Sequence, residues 1–171
     1  EEGRIVRWVF LESDAGITSA ISRAKLHRAK WINGAKKYTY LGITTIPVWK
    51  RRKVWLKLDD AEGKILDFTM FAATTGETFG GGYQVCPGVT PLDETGTIVY
   101  APKMSRLAML SLMGPMKNGK HIGKWGITQQ KVNRIEIKPV DSDGIVSDTP
   151  LPLSTWVQAD GEPVIVSPAT L

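Results

Sequence analysis

Late in the chain stand two carboxylates separated by a single glycine, Asp160-Gly161-Glu162. In an extended hairpin, residues two apart share a face, unless the turn at Gly161 separates them. Carboxylates at a loop tip can hold Mg²⁺ through water, or one can accept a proton from a hydroxyl. The plainer role is a β-turn in which Asp160 bonds nearby backbone. Asp93-Glu94-Thr95-Gly96 poses the same choice: a turn by default, an oxygen-ligand cation site at best. No Ser-His-Asp pattern or zinc spacing accompanies either turn. His27 and His121 are the only histidines, which argues against a His-rich metal site. The single cysteine, Cys86, excludes an internal disulfide, reads as a small buried hydrophobe and fits a reducing, cytoplasmic compartment.

Three consecutive glycines, Gly80-Gly81-Gly82, open a segment that continues through Tyr83-Gln84-Val85-Cys86-Pro87. Such a run suits a sharp turn or a backbone that must approach something closely. The loop Lys117 to Lys124 is rich in glycine and lysine, but it lacks the Gly-x-x-x-x-Gly-Lys-Ser/Thr spacing of a phosphate loop.

The elements that must position these residues fit one domain over residues 1–171. With 42% hydrophobic residues the chain can bury a core, and no apolar run is long enough to span a bilayer. The opening Glu1-Glu2-Gly3 has neither an initiating Met nor a basic-then-apolar leader, as expected of a cut or processed end without a signal peptide. Charge is uneven. Residues 1–57 hold 13 Lys and Arg against four acids, a net of +9, and the remainder carries −4. A basic third suggests an anionic partner such as a membrane surface, a nucleic acid or a phosphorylated ligand. A solvated face, or contact with an acidic neighbouring domain, accounts for it equally well.

Ile5 to Leu11 reads as a strand, with Ser13 or Asp14 capping a helix over about residues 16–31. Ile17, Ala20, Ile21 and Ala24 share one face of that helix. Lys36 to Ile46 suits a second helix ended by Pro47, or a strand. Val54 to Leu58 and Leu66 to Met70 alternate as a hairpin, and Thr97 to Tyr100 reads as a strand. Ser105 to Met113 is a short helix with Leu107, Leu110 and Met104 inward, closed by Gly114-Pro115. Val132 to Lys138 is a strand, and Asp141 to Pro152 a loop. Ser154 to Gln158 and Val164 to Val166 flank a hairpin tip at Asp160-Gly161. The sum is a mainly β chain with two or three short helices, a β-sandwich or partly closed barrel.

In this order the motifs resemble the C-terminal domain of the diacylglycerol kinase and sphingosine kinase family of lipid kinases. Phe10 to Ile21, with Asp14-Ala15-Gly16, resembles the entry to that domain, and Lys36 to Leu41 the helix that follows. Gly80 to Pro87 is similar to the family's Gly-Gly-Gly…Pro segment, Asp93 to Gly96 to its Asp-Asp-Gly turn with one residue more, and Asp160-Gly161-Glu162 to its Asp-Gly-Glu signature. The resemblance spans nearly the whole chain. It implies a β-sandwich paired with an N-terminal nucleotide-binding domain, transferring the γ-phosphoryl of ATP to a lipid hydroxyl with Mg²⁺. It also implies Glu162 as base or Mg²⁺-water ligand, Asp160 as its support, and Asp93 in a turn that holds a structural Mg²⁺ in some bacterial members. The family's Gly-Gly-Asp-Gly nucleotide motif is absent from the chain, so ATP is expected on the partner domain and this chain alone is expected to be inactive.

Two other readings stand beside it. One is a non-catalytic module gripping an anionic membrane or nucleic acid through Lys50 to Lys53, Trp49 and Trp55, although no nucleic-acid motif matches. The other is a degenerate regulatory domain. Diacylglycerol, sphingoid bases and other long-chain alcohols all remain open as acceptors.

Overall fold

The computed structural model describes residues 8–151, 156–166 and 168–170. It contains nine strands and three α-helices: β1 (Glu12–Gly16), α1 (Ile17–His27), α2 (Ala35–Thr45), β2 (Lys53–Leu58), β3 (Lys64–Thr74), β4 (Gly96–Pro102), α3 (Arg106–Lys117), β5 (Thr128–Val132), β6 (Ile135–Pro139), β7 (Trp156–Ala159), β8 (Glu162–Val166) and β9 (Ala169–Thr170). Every strand pairing is antiparallel.

The long strand β3 belongs to two sheets. Its first half pairs with β2, which continues to β6 and β9. Its second half lies between β1 and β4 and extends the other sheet to β7, β8 and β5. β3 passes from one sheet to the other between Asp67, its last partner of β2, and Phe68, which pairs with β4, and the β3–β4 register then skips Thr69. The skipped residue is useful there, because the Thr69 hydroxyl accepts the Met104 N–H at 3.0 Å and anchors the approach to α3.

Strand alternation sorts side chains between two cores. Ala15, Phe71, Ile98 and Val157 point inward against Val54, Leu56 and Ile137 of the second sheet, and these make the core of the sandwich. Their neighbours Met70, Ala72, Val99 and Ala101 point the other way, against α1, α2, α3 and the glycine segment. The central part of the larger sheet, β1 with the second half of β3 and the middle of β4, is therefore buried on both faces.

Several expectations are corrected. Residues 8–11 precede the first strand, and residues 5–7 lie outside the described part, as do Ser154 and Leu171. The first strand is instead the acidic Glu12–Gly16, whose low strand propensity is overridden by pairing on both edges, with β3 and β7. Neither Ser13 nor Asp14 caps α1. The residue before the helix is Gly16 at φ 97°, and a Cβ there would collide with the Thr69 carbonyl. α1 stops at His27, short of residue 31.

The segment from Lys36 is helical. α3 begins as expected, with Ser105 Oγ accepting the Ala108 N–H at 3.1 Å, but runs through Pro115 to Lys117. Its inward face is Ala108, Met109 and Leu112, and Leu107 is exposed. The strand expected from Val132 to Lys138 is two strands, β5 and β6, separated at Asn133-Arg134. There the Asp59 carboxylate accepts both backbone N–H groups at 2.8 Å. The β2–β3 hairpin and the Asp160-Gly161 hairpin tip form as expected.

Candidate active site

The Asp-Gly turn has φ 50° at Asp160 and 82° at Gly161. Positive φ at both central residues is the hairpin geometry that favours this dipeptide. The two acids of the motif then find different partners. The Asp160 carboxylate turns back over the incoming chain and accepts the N–H groups of Phe10 at 2.9 Å, Leu11 at 2.8 Å and Glu12 at 3.2 Å. Its own N–H donates to the Glu12 carbonyl at 2.9 Å. Glu162 is half-exposed and pairs with Lys25 of α1, Nζ to Oε1 3.6 Å. Lys25 also donates to the Gly161 carbonyl at 2.8 Å, which fixes α1 to the hairpin tip.

Beside this tip lies an acidic pair that sequence reasoning did not single out. Glu12 and Asp14, two apart on β1, share the face turned toward the helices. Asp14 is 1% exposed and Glu12 4%. Gln158 stands opposite Asp14 on β7. Its side-chain nitrogen donates to Glu12 Oε2 at 2.6 Å and to Asp14 Oδ2 at 2.7 Å.

Burial pushes the Asp14 carboxyl well above its ordinary range, and the neighbouring Glu12 charge pushes it further. Burial also raises Glu12, against the hydrogen bond from Gln158. Among the described residues no side chain makes a hydrogen bond of normal geometry to Asp14 Oδ1, although the neighbouring Thr18 side chain lowers the carboxyl slightly against its burial. The signal available in the sequence was Glu-x-Asp at strand spacing, followed by Ala15-Gly16 at the helix entry.

Glu12, Asp14 and Gly161 line one part of a cavity of about 120 Å³. A single water needs roughly 10–15 Å³ of such space, so the cavity accommodates an organic group. The rest of its wall is mainly apolar, with Ile17, Ile21, Val99, Met109, Leu112 and Met113 among the lining residues beside a few polar ones such as Thr18 and Ser22. An apolar cavity with a few convergent polar groups is the usual form of a small-molecule site.

The glycine segment closes one side. Gly80, Gly81 and Gly82 all have positive φ, at 61°, 79° and 91°. The backbone passes so near α2 that a Cβ on Gly81 would sit 2.8 Å from the Tyr38 ring. Tyr83 and Thr39 then join hydroxyl to hydroxyl at 3.0 Å. Gly81 is therefore a close-approach position, whereas Gly80 and Gly82 have open space where a Cβ would stand and serve the turn through their positive φ; Gly80 and Tyr83 line the cavity.

Cys86 is buried in the adjoining core and its thiol is pushed up to about 12, mainly by desolvation. His121 is also buried. Burial lowers its pKa, and Nε2 lies 3.0 Å from the Val85 carbonyl. Asp93 stands apart from the cavity lining, in the turn from Thr90, whose N–H it accepts at 3.2 Å. Among the described residues no three His, Cys, Asp or Glu side chains converge as a metal cluster.

A family model described as the YegS C-terminal NAD kinase beta sandwich-like domain matches residues 13–171. The chain belongs to this family. Two solved structures from Bacillus anthracis str. Sterne share the fold, both described as diacylglycerol kinases, the first provisionally so. The first aligns with TM-score 0.60 at 17% identity, covering 95% of this chain and 49% of that one. The second aligns with TM-score 0.59 at 20% identity, covering 95% and 48%. The chain thus spans about half the length of these structures. Comparison with curated protein sequences returns no significant match. The family assignment agrees with the resemblance carried by the glycine triplet and the Asp-Gly-Glu turn, and the two-sheet architecture with the family's β-sandwich description.

Proposed function

We propose that this chain is the acceptor-binding half of an ATP-dependent lipid kinase. The observation that carries the reading is the apolar cavity with the buried Glu12–Asp14 pair in its wall, beside the Asp160–Glu162 turn. A long-chain alcohol would lie along Met109, Leu112 and Met113, with its hydroxyl toward the Asp14 carboxyl. Diacylglycerol and sphingoid bases both fit this description.

In the transfer, the acceptor oxygen forms a bond to the γ-phosphorus while the bond to the leaving ADP oxygen breaks. Glu162, accessible at the hairpin tip, would take the hydroxyl proton. Asp160 would act as a positioning residue, holding the tip against residues 10–12. Lys25 would hold Glu162 in place. ATP would be supplied by an N-terminal nucleotide-binding domain.

Mg²⁺ commonly takes one or two carboxylates, substrate phosphates and several waters, so a single exposed glutamate fits a water-mediated role. Bound there, the ion would supply charge neutralisation on the phosphates. Asp93 would contribute one oxygen to a second, structural Mg²⁺.

The test is transfer of labelled phosphate from ATP to a panel of lipid alcohols, with the chain joined to a nucleotide-binding domain of the family and the chain alone as control. Transfer is expected only from the joined protein. Glu162→Gln should lower it by about 10²-fold or more with folding intact. Transfer unchanged by Glu162→Gln would remove Glu162 from the chemistry, and no transfer to any lipid by a folded joined protein would overturn the reading.

A further inference from the structure

Helix α2 is apolar on two opposite sides. Tyr38, Gly42 and Ile46, at four-residue spacing, face inward and line the cavity. Tyr40, Ile43 and Pro47, displaced by about half a turn, form an exposed stripe. Ile43 is 52% exposed and Tyr40 39%. Trp31, from the preceding loop and 76% exposed, packs edge-on against Tyr40 with ring centroids 5.8 Å apart. Val48 continues the apolar surface past the helix end. No described residue of this chain covers the Trp, Tyr and Ile side chains on that outer face.

Charge indicates what covers it. Between Asp14 and Asp59 the sequence contains eleven Lys and Arg and no Asp or Glu. Lys30, next to Trp31 in sequence, Lys36 at the start of α2, and Lys50, two residues after Val48, are all exposed. Aromatic and branched aliphatic side chains in a segment whose sequence holds cations and no acid match the boundary of an anionic bilayer. There rings settle at headgroup depth and Lys meets lipid phosphate.

We propose that the outer face of α2, with Trp31 and Val48, is a docking surface for an anionic lipid bilayer. This rests on the lipid-kinase reading for its purpose. The same helix then separates the bilayer from the cavity, so an acceptor drawn from the membrane reaches the site past α2 without crossing water.

Binding is measured without nucleotide, by co-sedimentation with phosphatidylcholine vesicles and with mixed phosphatidylcholine–phosphatidylglycerol vesicles. The chain should bind the mixed vesicles, bind phosphatidylcholine alone far more weakly, and lose affinity as salt rises. Tyr40→Asp combined with Ile43→Asp should weaken binding at least about tenfold, since both side chains leave water only on the bilayer. Lys36→Glu should weaken it to a smaller extent. Ile145→Asp is the control, because Ile145 is exposed in the loop after β6, on the sheet remote from α2. Circular dichroism of each variant checks that these surface changes leave the fold intact.

Vesicle binding unchanged by the double substitution overturns the proposal, as does no binding by the unaltered chain. So does a double variant that binds vesicles normally but loses a nucleotide-binding domain or single-stranded nucleic acid. Phosphorylation of a detergent-dispersed acceptor by the joined double variant separates the two claims. Retained transfer with lost vesicle binding supports the docking surface. Normal vesicle binding by the unaltered chain without any transfer would leave the surface standing and remove the kinase reading.

Discussion

Gln158 and Asp14 face each other across the β1–β7 pair, and the amide nitrogen of Gln158, 2.7 Å from Asp14, also lies 2.6 Å from Glu12. One amide group thus holds two buried carboxyls. Two such groups in an apolar wall do not both ionise readily, so the folded chain retains a proton that the unfolded chain releases. The stability contributed by that proton is fully present below the ordinary carboxylate values of 3.8 and 4.5, and is lost as pH rises through the raised values.

Asp14→Asn keeps the shape and removes the charge. It should therefore melt higher than the unaltered chain at neutral pH, by about 2–4 °C for each 1 kcal/mol recovered. The advantage should shrink toward pH 4. Melting curves across pH check this, and a difference independent of pH would contradict it. In the joined enzyme the same substitution should lower lipid phosphorylation, because the proposed reading places the acceptor hydroxyl against Asp14.

Asp160→Ala should destabilise the fold by about 1–3 kcal/mol, since its carboxylate accepts three backbone N–H groups of residues 10–12. Asp160→Asn, which tolerates the same left-handed backbone, should lose less. Urea denaturation of the two variants distinguishes the lost hydrogen bonds from the lost turn conformation. Equal losses would assign the effect to the lost carboxylate hydrogen bonds and leave nothing to the turn conformation.

Much of the sandwich was legible because alternation survives in it: Val54, Leu56 and the Leu66 to Met70 run read directly as a hairpin. The Asp-Gly tip was legible because only such a dipeptide suits two positive φ values in succession. The buried pair was hidden because Glu12 and Asp14 look like a solvated turn. Their burial depends on β3 and β7, which are distant in sequence. Leu107 was misplaced because several helical phases bury some apolar residue of α3. The partners of Asp160 lie about 150 residues earlier, at Phe10 and Leu11; no local pattern announces them.

Gly16→Ala places a Cβ against the Thr69 carbonyl at a residue with φ 97°. Both effects oppose the fold, and the loss should be about 3 kcal/mol or more, enough to leave little folded protein at 37 °C. Yield of soluble, cooperatively unfolding protein is the measurement. Near-normal stability would show that the β1–α1 junction yields more easily than its contacts indicate.

Cys86 should resist thiol reagents in the folded chain at pH 8, because its thiolate is disfavoured and its side chain buried. Labelling should become rapid in urea, in step with the unfolding transition. Rapid labelling under native conditions would mean that the core around Val85 and His121 opens readily.

The central claim is that the cavity holds the lipid acceptor. Its most direct test is photo-cross-linking of the chain by a long-chain alcohol bearing a photoactivatable group midway along its tail, followed by peptide mapping. The account predicts label on α3 at Met109 to Met113 and on Val99 or Ala101 of β4, with strong reduction by Ala101→Phe, which fills the cavity from a wall residue only 1% exposed. Label confined to exposed residues, and undiminished by Ala101→Phe in a folded sample, would contradict it.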